Sequence, residues 1–465
     1  MKQRPNIIFI LMDDMGWRDL GCTGSGFYET PNIDRLAAQG MTFTQAYAAC
    51  PVCSPSRASI MSGKYPARLG VTDWIDHGNF HPCRGILIDA PYIKHLSLSE
   101  RSIARALRDD GGYATWHVGK WHLGQEPHWP LNHGFDVNIG GCDFGSPWRS
   151  GYFSPWNIPT LENGAPGDYL PDRLADEAIA LIEHRDPARP FFLNFWDYCV
   201  HTPIQAKPEK IEKYRRKAAA LGLNPAAALV EGEHFPCDHK RDQRVTRRVE
   251  QSDPAYAAMI ESVDENIGRL LATLDAQGIA DNTLIVFTSD NGGLSTAEGS
   301  PTCNLPLAEG KGWMYDGGVR EPLIVKYPGV VPPGTTCAIP VTSPDFYPTF
   351  LAAAGLPLCH EQHRDGVSLM PLLRNEPTFQ RDAIFWHYPH YGNQGGTPGS
   401  SVRCGDWKLI EFFEDNRLEL YNLRDDPGET KNLSATRPAE TSRLHTLLKN
   451  WRDEVGAKIP ERAKK

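Results

Sequence analysis

The chain has 465 residues, of which 40% are hydrophobic and 23% charged, and its formal net charge at pH 7 is −9. This composition is typical of a folded globular protein, and the negative charge argues against a broad nucleic-acid surface. No stretch is apolar for long enough to span a bilayer, so we expect neither a nucleic-acid nor a membrane partner. The length allows two or three domains, or one large α/β unit.

Buried strands and amphipathic helices alternate along the first part of the chain. Residues 5–12 form a continuous apolar run, which predicts a strand that is buried on both faces. Two more strands are predicted at 190–197 and 283–289, and helices at 98–109, 172–184 and 260–274. This alternation predicts an α/β fold in which helices cover a central sheet.

A charged, alanine-rich segment at residues 215–252 predicts an insertion into this pattern. It contains a basic run at 239–248, which we interpret as a solvated helix face or a flexible segment. A contact with a sulfated polymer is the less favoured alternative for the same run.

The character of the sequence changes after about residue 375. Ser400–Phe413 and Arg417–Leu423 predict antiparallel strands, and residues 438–455 predict a final helix. We therefore predict a large domain over residues 1–375 and a smaller α+β subdomain over residues 376–465.

The N-terminal apolar run and the cysteine content bear on the cellular compartment. The run ends at Met12 and is too short for the core of a signal peptide. We expect a periplasmic or secreted protein if a signal peptide has been removed, and otherwise a cytoplasmic one. The eleven cysteines are scattered and odd in number, which argues against a dense disulfide framework.

Oxygen donors follow two of the predicted strands. Asp13 and Asp14 come directly after the first, and Asp290 and Asn291 come directly after the strand at 283–289. Ligands in open α/β sheets bind outside the carboxyl ends of strands. Asp and Asn also cap turns commonly, so either pair alone is weak evidence. Together they predict a site for Ca²⁺ or Mg²⁺, because three neighbouring carboxylates repel one another without a cation.

Two cysteines lie in a Ser/Pro-rich segment that reads Cys-Pro-Val-Cys-Ser-Pro-Ser-Arg from Cys50 to Arg57. A buried structural cysteine is the ordinary interpretation, and the C-x-x-C pair could also indicate redox chemistry or half of a zinc site. The sequence has no second C-x-x-C pair. Neither Cys50 nor Cys53 lies at the spacing from Arg57 that a cysteine-dependent phosphatase needs.

The core of that segment, Cys53-Ser54-Pro55-Ser56-Arg57, resembles the signature of the type I sulfatases. In this family a maturation enzyme oxidises the cysteine to formylglycine, and the hydrated aldehyde attacks the sulfur of a sulfate ester. The resemblance implies formylglycine derived from Cys53, and Ca²⁺ (or Mg²⁺) bound by the four oxygen donors. It also implies an alkaline-phosphatase-like fold, with a large central mixed sheet in a catalytic domain over residues 1–375.

Three further motifs that resemble those of the family follow in the family's order. Lys120 and His122 lie in Gly-Lys-Trp-His-Leu-Gly, His201 in Tyr-Cys-Val-His-Thr-Pro, and Lys311 in Glu-Gly-Lys-Gly. The resemblance assigns Lys120 and His122 to the nucleophile and the sulfate, and Lys311 to the sulfate. It assigns His201 to protonation of the leaving oxygen and Arg57 to orientation of the nucleophile. Each motif alone is weak, but their shared order supports the resemblance.

The resemblance implies a sulfuric ester hydrolase acting on a sulfated carbohydrate, most similar to bacterial polysaccharide sulfatases. Residues 140–175 resemble enzymes that act on 4-sulfated galactose or N-acetylgalactosamine. We predict that Asp143, Arg149 and His390 contact the substrate.

Two other functions stay open at this point. A phosphonate or phosphate monoester hydrolase of the same superfamily can share the cysteine motif, although the paired lysines Lys120 and Lys311 favour a sulfatase. A non-catalytic glycan-binding pseudo-enzyme would require the loss of a catalytic residue, or a Cys53 that is never matured.

Overall fold

The computed structural model describes residues 4–76, 81–147 and 150–464. The strands in chain order are β1 (Asn6–Met12), β2 (Met41–Tyr47), β3 (Leu87–Ile88), β4 (Ala114–Gly119), β5 (Val137–Ile139), β6 (Phe191–Trp196), β7 (Leu229–His234), β8 (Arg244–Arg248), β9 (Thr283–Ser289), β10 (Arg320–Lys326), β11 (Thr335–Cys337), β12 (Val341–Thr342), β13 (Ile384–Tyr388), β14 (Gly399–Cys404), β15 (Trp407–Phe412), β16 (Leu418–Asn422) and β17 (Glu461–Arg462). The helices are α1 (Pro31–Ala38), α2 (Cys53–Ser62), α3 (Pro66–Leu69), α4 (Ile103–Gly111), α5 (Leu170–Glu183), α6 (Pro208–Ala220), α7 (Pro254–Ala276), α8 (Asp316–Val319), α9 (Phe346–Ala353), α10 (Met370–Leu373) and α11 (Pro438–Val455). Within the described ranges, no helix is both long and apolar enough to cross a bilayer.

A large mixed sheet forms the centre of the molecule. Its strands lie in the order β11-β2-β10-β9-β1-β6-β4-β5, and β12 pairs with β2. β10 runs antiparallel to both of its neighbours, whereas β1 is parallel to β9 on one side and to β6 on the other. The predicted α/β fold with a large central mixed sheet is confirmed.

The apolar run of β1 is continuous because both of its faces are buried. Successive side chains of a strand point to opposite faces, so Ile8 and Ile10 pack with α5, α6 and α7, whereas Phe9 and Leu11 pack with α4 and α9. The helices therefore form a layer on each side of the sheet.

A second sheet lies in the C-terminal part of the chain. β13, β14, β15 and β16 pair antiparallel in sequence order. Leu444 and Leu448 of α11 pack against Leu409 and Leu420 of this sheet. The predicted antiparallel strands and final helix are therefore present, while the domain boundary between residues 375 and 376 stays a prediction.

The segment at 215–252 differs from its sequence interpretation. Helix α6 extends through its start and buries Tyr214 in the core shared with α7. The basic run lies in part on β8, which forms a hairpin with β7, so it is not a helix face. There Arg247 pairs with Glu233 and Glu309, each at 2.8 Å. The Glu233 contact joins the two strands of the hairpin, and the Glu309 contact joins the hairpin to the loop that precedes α8.

Candidate active site

The four predicted metal ligands meet at one edge of the central sheet. β1 and β9 are parallel neighbours, so Asp13 and Asp14 leave the sheet beside Asp290 and Asn291. The Asp14 backbone N–H donates to Asp290 Oδ1 at 3.2 Å, and Asn291 Nδ2 donates to Asp14 Oδ1 at 2.8 Å. All four residues are buried.

These ligands fit a divalent cation. Within the described chain, the buried atoms Asp13 Oδ1 and Asn291 Oδ1 have no hydrogen-bond donor. Burial, together with the carboxylates of Asp290 and Asp14, raises the pKa of Asp13 well above its usual value, against the influence of Lys120. A cation among these oxygens would remove that repulsion, and oxygen donors are the ligands that Ca²⁺ and Mg²⁺ prefer.

Three buried cationic side chains each face one of the three carboxylates. The pairs are Lys120 Nζ with Asp13 Oδ2 at 2.7 Å, Lys311 Nζ with Asp14 Oδ2 at 2.8 Å, and Arg57 Nη2 with Asp290 Oδ2 at 2.8 Å. The cluster is therefore neutral by itself, and a divalent cation would leave it with a net positive charge. Such a site attracts an anion such as a sulfate ester.

Cys53 is the first residue of α2 and lies beside His122. Its Sγ is 3.3 Å from His122 Nδ1, and His122 Nε2 donates to the Ile75 carbonyl at 2.7 Å. Since a carbonyl can only accept, Nε2 carries the proton and Nδ1 is left as an acceptor towards Cys53. Burial raises the pKa of the Cys53 thiol, and a protonated thiol is a poor nucleophile.

His201 lies on the other side of this group, against Lys311. Its Nδ1 donates to the Thr202 carbonyl at 2.8 Å, and its Nε2 accepts from Lys311 Nζ at 2.9 Å. Burial and the Lys311 ammonium lower the pKa of His201 to about 4. Without substrate, His201 is therefore neutral at pH 7.

A glycine at the end of β4 sets the position of Lys120. Gly119 has a φ of +105°, and a Cβ at this residue would lie 2.0 Å from the Trp196 carbonyl oxygen. Only glycine suits both the backbone conformation and the close approach. The Lys120 backbone N–H then donates to the same oxygen at 2.7 Å, which fixes the start of the loop that carries Lys120 and His122.

A cavity of about 690 Å³ opens above Cys53 and lies within the size range of small-molecule sites. Cys53, His122, His201 and Lys311 lie at its base. Aromatic and polar side chains form its walls, among them Trp74, Asp76, Gln125, Asp143, Phe144 and Gln394.

The three predicted substrate contacts have different positions. Asp143 lines the cavity. Arg149 lies outside the described residues. His390 is fully buried and does not line the cavity, and its Nε2 lies 2.8 Å from Thr72 Oγ1. A side chain at that position cannot reach a substrate in this cavity unless the wall in front of it moves.

Sequence reasoning missed two stretches of the cavity wall, residues 74–76 and 393–394. The first follows the cysteine motif by some twenty positions and the second lies in the C-terminal part of the chain, so only the tertiary fold brings them together. The tryptophan at position 74 is a weak signal in a loop. Asn393 and Gln394 follow shortly after His390, so the sequence indicated this segment as a substrate contact but not these side chains.

The fold and the site together define a hydrolase of the alkaline-phosphatase-like superfamily. The profile of the sulfatase family matches residues 5–356, and a profile described as N-sulphoglucosamine sulphohydrolase, C-terminal, matches residues 309–454. The chain belongs to the sulfatase family, and it is a sulfuric ester hydrolase. Members of this family generally use formylglycine and a divalent metal.

Relatives match almost the whole chain. A sulfatase from Formosa agariphila is 32% identical, over 97% of this chain and 89% of its own length. The N-acetylgalactosamine-6-sulfatase of Sus scrofa is 33% identical, over 98% of this chain and 82% of its own. A crystal structure of Ps i-CgsB in complex with k-i-k-neocarrahexaose superposes with a TM-score of 0.75 at 29% identity, covering 97% of this chain and 93% of that one.

Proposed function

We propose that this protein removes sulfate from a sulfated carbohydrate, with 4-sulfated galactose or N-acetylgalactosamine as the substrate unit. One observation carries the proposal. Three cationic side chains and four oxygen donors form one buried cluster, and Lys311 of this cluster lines the base of a cavity together with Cys53 of the sulfatase signature. The names of a relative, an N-acetylgalactosamine-6-sulfatase, and of a structure that holds neocarrahexaose support a carbohydrate substrate.

The walls of the cavity suit a sugar ring. Trp74 and Phe144 offer apolar faces, while Asp143 and Gln125 offer groups that can hydrogen-bond hydroxyls. The cationic cluster lies at the base, so the sulfate would enter first and the sugar would stay against the walls. This arrangement separates the group that reacts from the groups that select the substrate.

We assign the nucleophile to Cys53 in its formylglycine form, which supplies a hydrated aldehyde whose hydroxyl can attack sulfur. We assign Asp13, Asp14, Asp290 and Asn291 to Ca²⁺, or to Mg²⁺ as the alternative, which supplies positive charge to the sulfate oxygens.

The described side chains have separate tasks around that nucleophile. His122 Nδ1 is held as an acceptor towards position 53, so it can take a proton from a group there. Lys120 and Lys311 offset the negative charge that builds up on the sulfate oxygens. A bound sulfate anion would raise the pKa of His201, because a nearby negative charge favours the imidazolium. The protonated His201 can then donate to the leaving oxygen.

A panel of substrates tests this function. The chain is co-expressed with a formylglycine-generating enzyme, and released sulfate is measured by ion chromatography. The panel contains 4-sulfated and 6-sulfated galactose and N-acetylgalactosamine, N-acetylglucosamine-6-sulfate, and one phosphonate monoester as a control for the alternative chemistry.

We expect sulfate release from the 4-sulfated sugars. Release from the 6-sulfated sugars alone would show that the sulfate is not removed from position 4, but it would still support a carbohydrate sulfatase. Hydrolysis of the phosphonate monoester with no sulfate release from any sugar, when mass spectrometry shows the aldehyde at position 53, would overturn the proposed function.

A further inference from the structure

A second cluster of metal-ligating side chains lies behind the cavity wall. Asp73 and Asp89 each direct a carboxylate oxygen, and His390 its Nδ1, to within 4.8 Å of one another. His390 Nδ1 is 3.7 Å from Asp73 Oδ2 and 3.8 Å from Asp89 Oδ2. His81 lies beside them, with Nε2 at 3.3 Å from Asp73 Oδ2 and Nδ1 at 3.3 Å from Asp89 Oδ2.

Three of these atoms are buried without a hydrogen-bond partner among the described residues, namely Asp73 Oδ2, His81 Nε2 and His390 Nδ1. The side chains of Asp73 and His390 are fully buried. Asp73 Oδ1 accepts from Tyr388 Oη at 2.9 Å and from the Trp74 backbone N–H at 2.8 Å, which leaves Oδ2 directed into the cluster. Such an orphaned oxygen costs free energy unless something binds it.

The ring of His390 is also oriented by a neighbouring side chain, so that one of its nitrogens faces the cluster. Its Nε2 lies 2.8 Å from Thr72 Oγ1, as expected for a metal-binding histidine whose other nitrogen is fixed by a neighbour. When Nε2 donates to this hydroxyl, the lone pair of Nδ1 faces two carboxylates. That arrangement is repulsive unless a cation lies between them.

The charges lead to the same conclusion. Over the described residues, no lysine or arginine pairs with Asp73 or Asp89, whose ion-pair partners there are His81 and His390. With neutral imidazoles the cluster would hold two buried negative charges. Backbone N–H groups and the Tyr388 hydroxyl donate to them, but no full positive charge in the described part of the chain offsets them, which is unfavourable. One divalent cation offsets both.

We propose that Asp73, Asp89 and His390, with His81 beside them, bind a divalent transition-metal ion, and that Zn²⁺ fits best. Zinc takes about four nitrogen, sulfur or oxygen ligands, whereas Ca²⁺ takes about six to eight oxygens. With zinc–ligand bonds of about 2.1 Å, neighbouring ligand atoms of a tetrahedron are about 3.4 Å apart. His390 Nδ1 lies 3.7 Å and 3.8 Å from the two carboxylate oxygens, which is close to that spacing.

This ion would join three segments that are distant in sequence, the loops after α3, β3 and β13. The first of them continues from Asp73 into residues 74–76 of the cavity wall, where the Ile75 carbonyl accepts from His122. The ion would therefore hold the wall that orients His122, and it would do so without touching the substrate.

The test is zinc binding by the full chain in excess Ca²⁺, which keeps the catalytic cluster occupied. The protein is stripped with EDTA, returned to Ca²⁺, and titrated with Zn²⁺ against a chromophoric chelator. We expect one Zn²⁺ per chain for the wild type and none for His390→Gln. His387→Gln is the matched control, because His387, on β13, is also buried but lies outside the cluster and contacts Ser400 Oγ and the Lys458 carbonyl. This control should bind zinc like the wild type.

A second measurement uses only the wild type, so that the proposal can still be tested if the His390→Gln variant does not fold. Crystals soaked in Zn²⁺ should show an anomalous peak at the zinc edge between Asp73, Asp89 and His390. Stoichiometric zinc at that position supports the proposal. Three results would overturn it: failure of the wild type to bind zinc, equal binding by folded His390→Gln, or a peak only at another position. In each case, protons on the two histidines would balance the charges of the carboxylates.

Discussion

Arg57 shows how a single side chain joins the signature helix to the metal ligands. It is fully buried, and its Nε and Nη2 both lie 2.8 Å from Asp290 Oδ2. Its Nη1 donates to the Lys120 carbonyl at 3.1 Å, and its guanidinium lies 5.1 Å from the centre of the Trp196 ring. The flat fork of arginine makes all of these contacts at once, which the single ammonium of lysine cannot do.

Replacing Arg57 by lysine should therefore impair both activity and stability. We expect kcat/KM to fall by about 100-fold or more, because the nucleophile and a metal ligand lose their common support. We expect the free energy of unfolding to fall by about 2 kcal/mol, since the lysine ammonium keeps the charge but cannot make all of the buried hydrogen bonds to Asp290 and the Lys120 carbonyl. Sulfate release and urea denaturation measure the two effects. The exposed Arg215→Lys should change neither, and unaltered activity in Arg57→Lys would contradict the role given to this residue.

The motifs that carry the chemistry could be recognised at the residue scale because each is a short run with a fixed spacing. Cys53 with Arg57 and Lys120 with His122 lie close together in sequence, so their resemblance to the sulfatase motifs, and the roles that it implies, could be found from the sequence. His390 was harder to interpret, since an isolated histidine near aromatic residues does not reveal whether it faces a cavity or, as here, a buried pair of carboxylates.

At the scale of elements, the parallel pairing of β1 with β9 brings the proposed metal ligands together. This meeting of the four side chains could be predicted from the sequence, because a long apolar run marks each strand and a pair of polar residues follows each run. The first and last residues of the elements were harder to predict from the sequence. Helix α7 was predicted over residues 260–274 from its apolar period, but it begins at Pro254, where the Asp253 carboxylate caps the backbone N–H groups of Ala255 and Tyr256.

Removing the cation should weaken the junction between β1 and β9. A ligand that binds only the folded state stabilises it by about 2.7 kcal/mol at 100 times its Kd. We therefore expect the urea midpoint of EDTA-treated protein to rise when Ca²⁺ alone is returned. Asp290→Asn lacks one carboxylate ligand, so its midpoint should respond much less. Equal midpoints with and without Ca²⁺ in the wild type would contradict the metal assignment.

For the whole molecule, the two sheets and their helices follow from local patterns, while the cavity follows from distant contacts. The wall combines residues 74–76 with residues 393–394, and no local pattern links those positions. The hairpin of β7 and β8 is a similar case. The sequence predicts that its charged side chains are solvated, yet Arg247 pairs with Glu233 on the other strand of the hairpin and with Glu309, which lies outside the hairpin.

The C-terminal sheet should make the stability of the molecule depend on pH. Burial lowers the pKa of His387 to about 3, so the folded state keeps it neutral while the unfolded chain takes up a proton below about pH 6.5. Stability is therefore lost as the pH falls from about 6.5 towards 3, by about 1.4 kcal/mol per pH unit for this group. Urea denaturation at several pH values should show a slope that is smaller by this amount in His387→Gln. The same slope in both proteins would show that His387 is not buried in its neutral form.

The central claim is that Cys53 provides the nucleophile of a sulfatase. The most direct measurement compares sulfate release by the wild type and by Cys53→Ala, both co-expressed with the maturation enzyme and assayed on the best sugar of the panel. We expect release only by the wild type, while the variant keeps the same circular dichroism and a free energy of unfolding within about 1 kcal/mol. Sulfate release by Cys53→Ala near the wild-type rate would contradict the account.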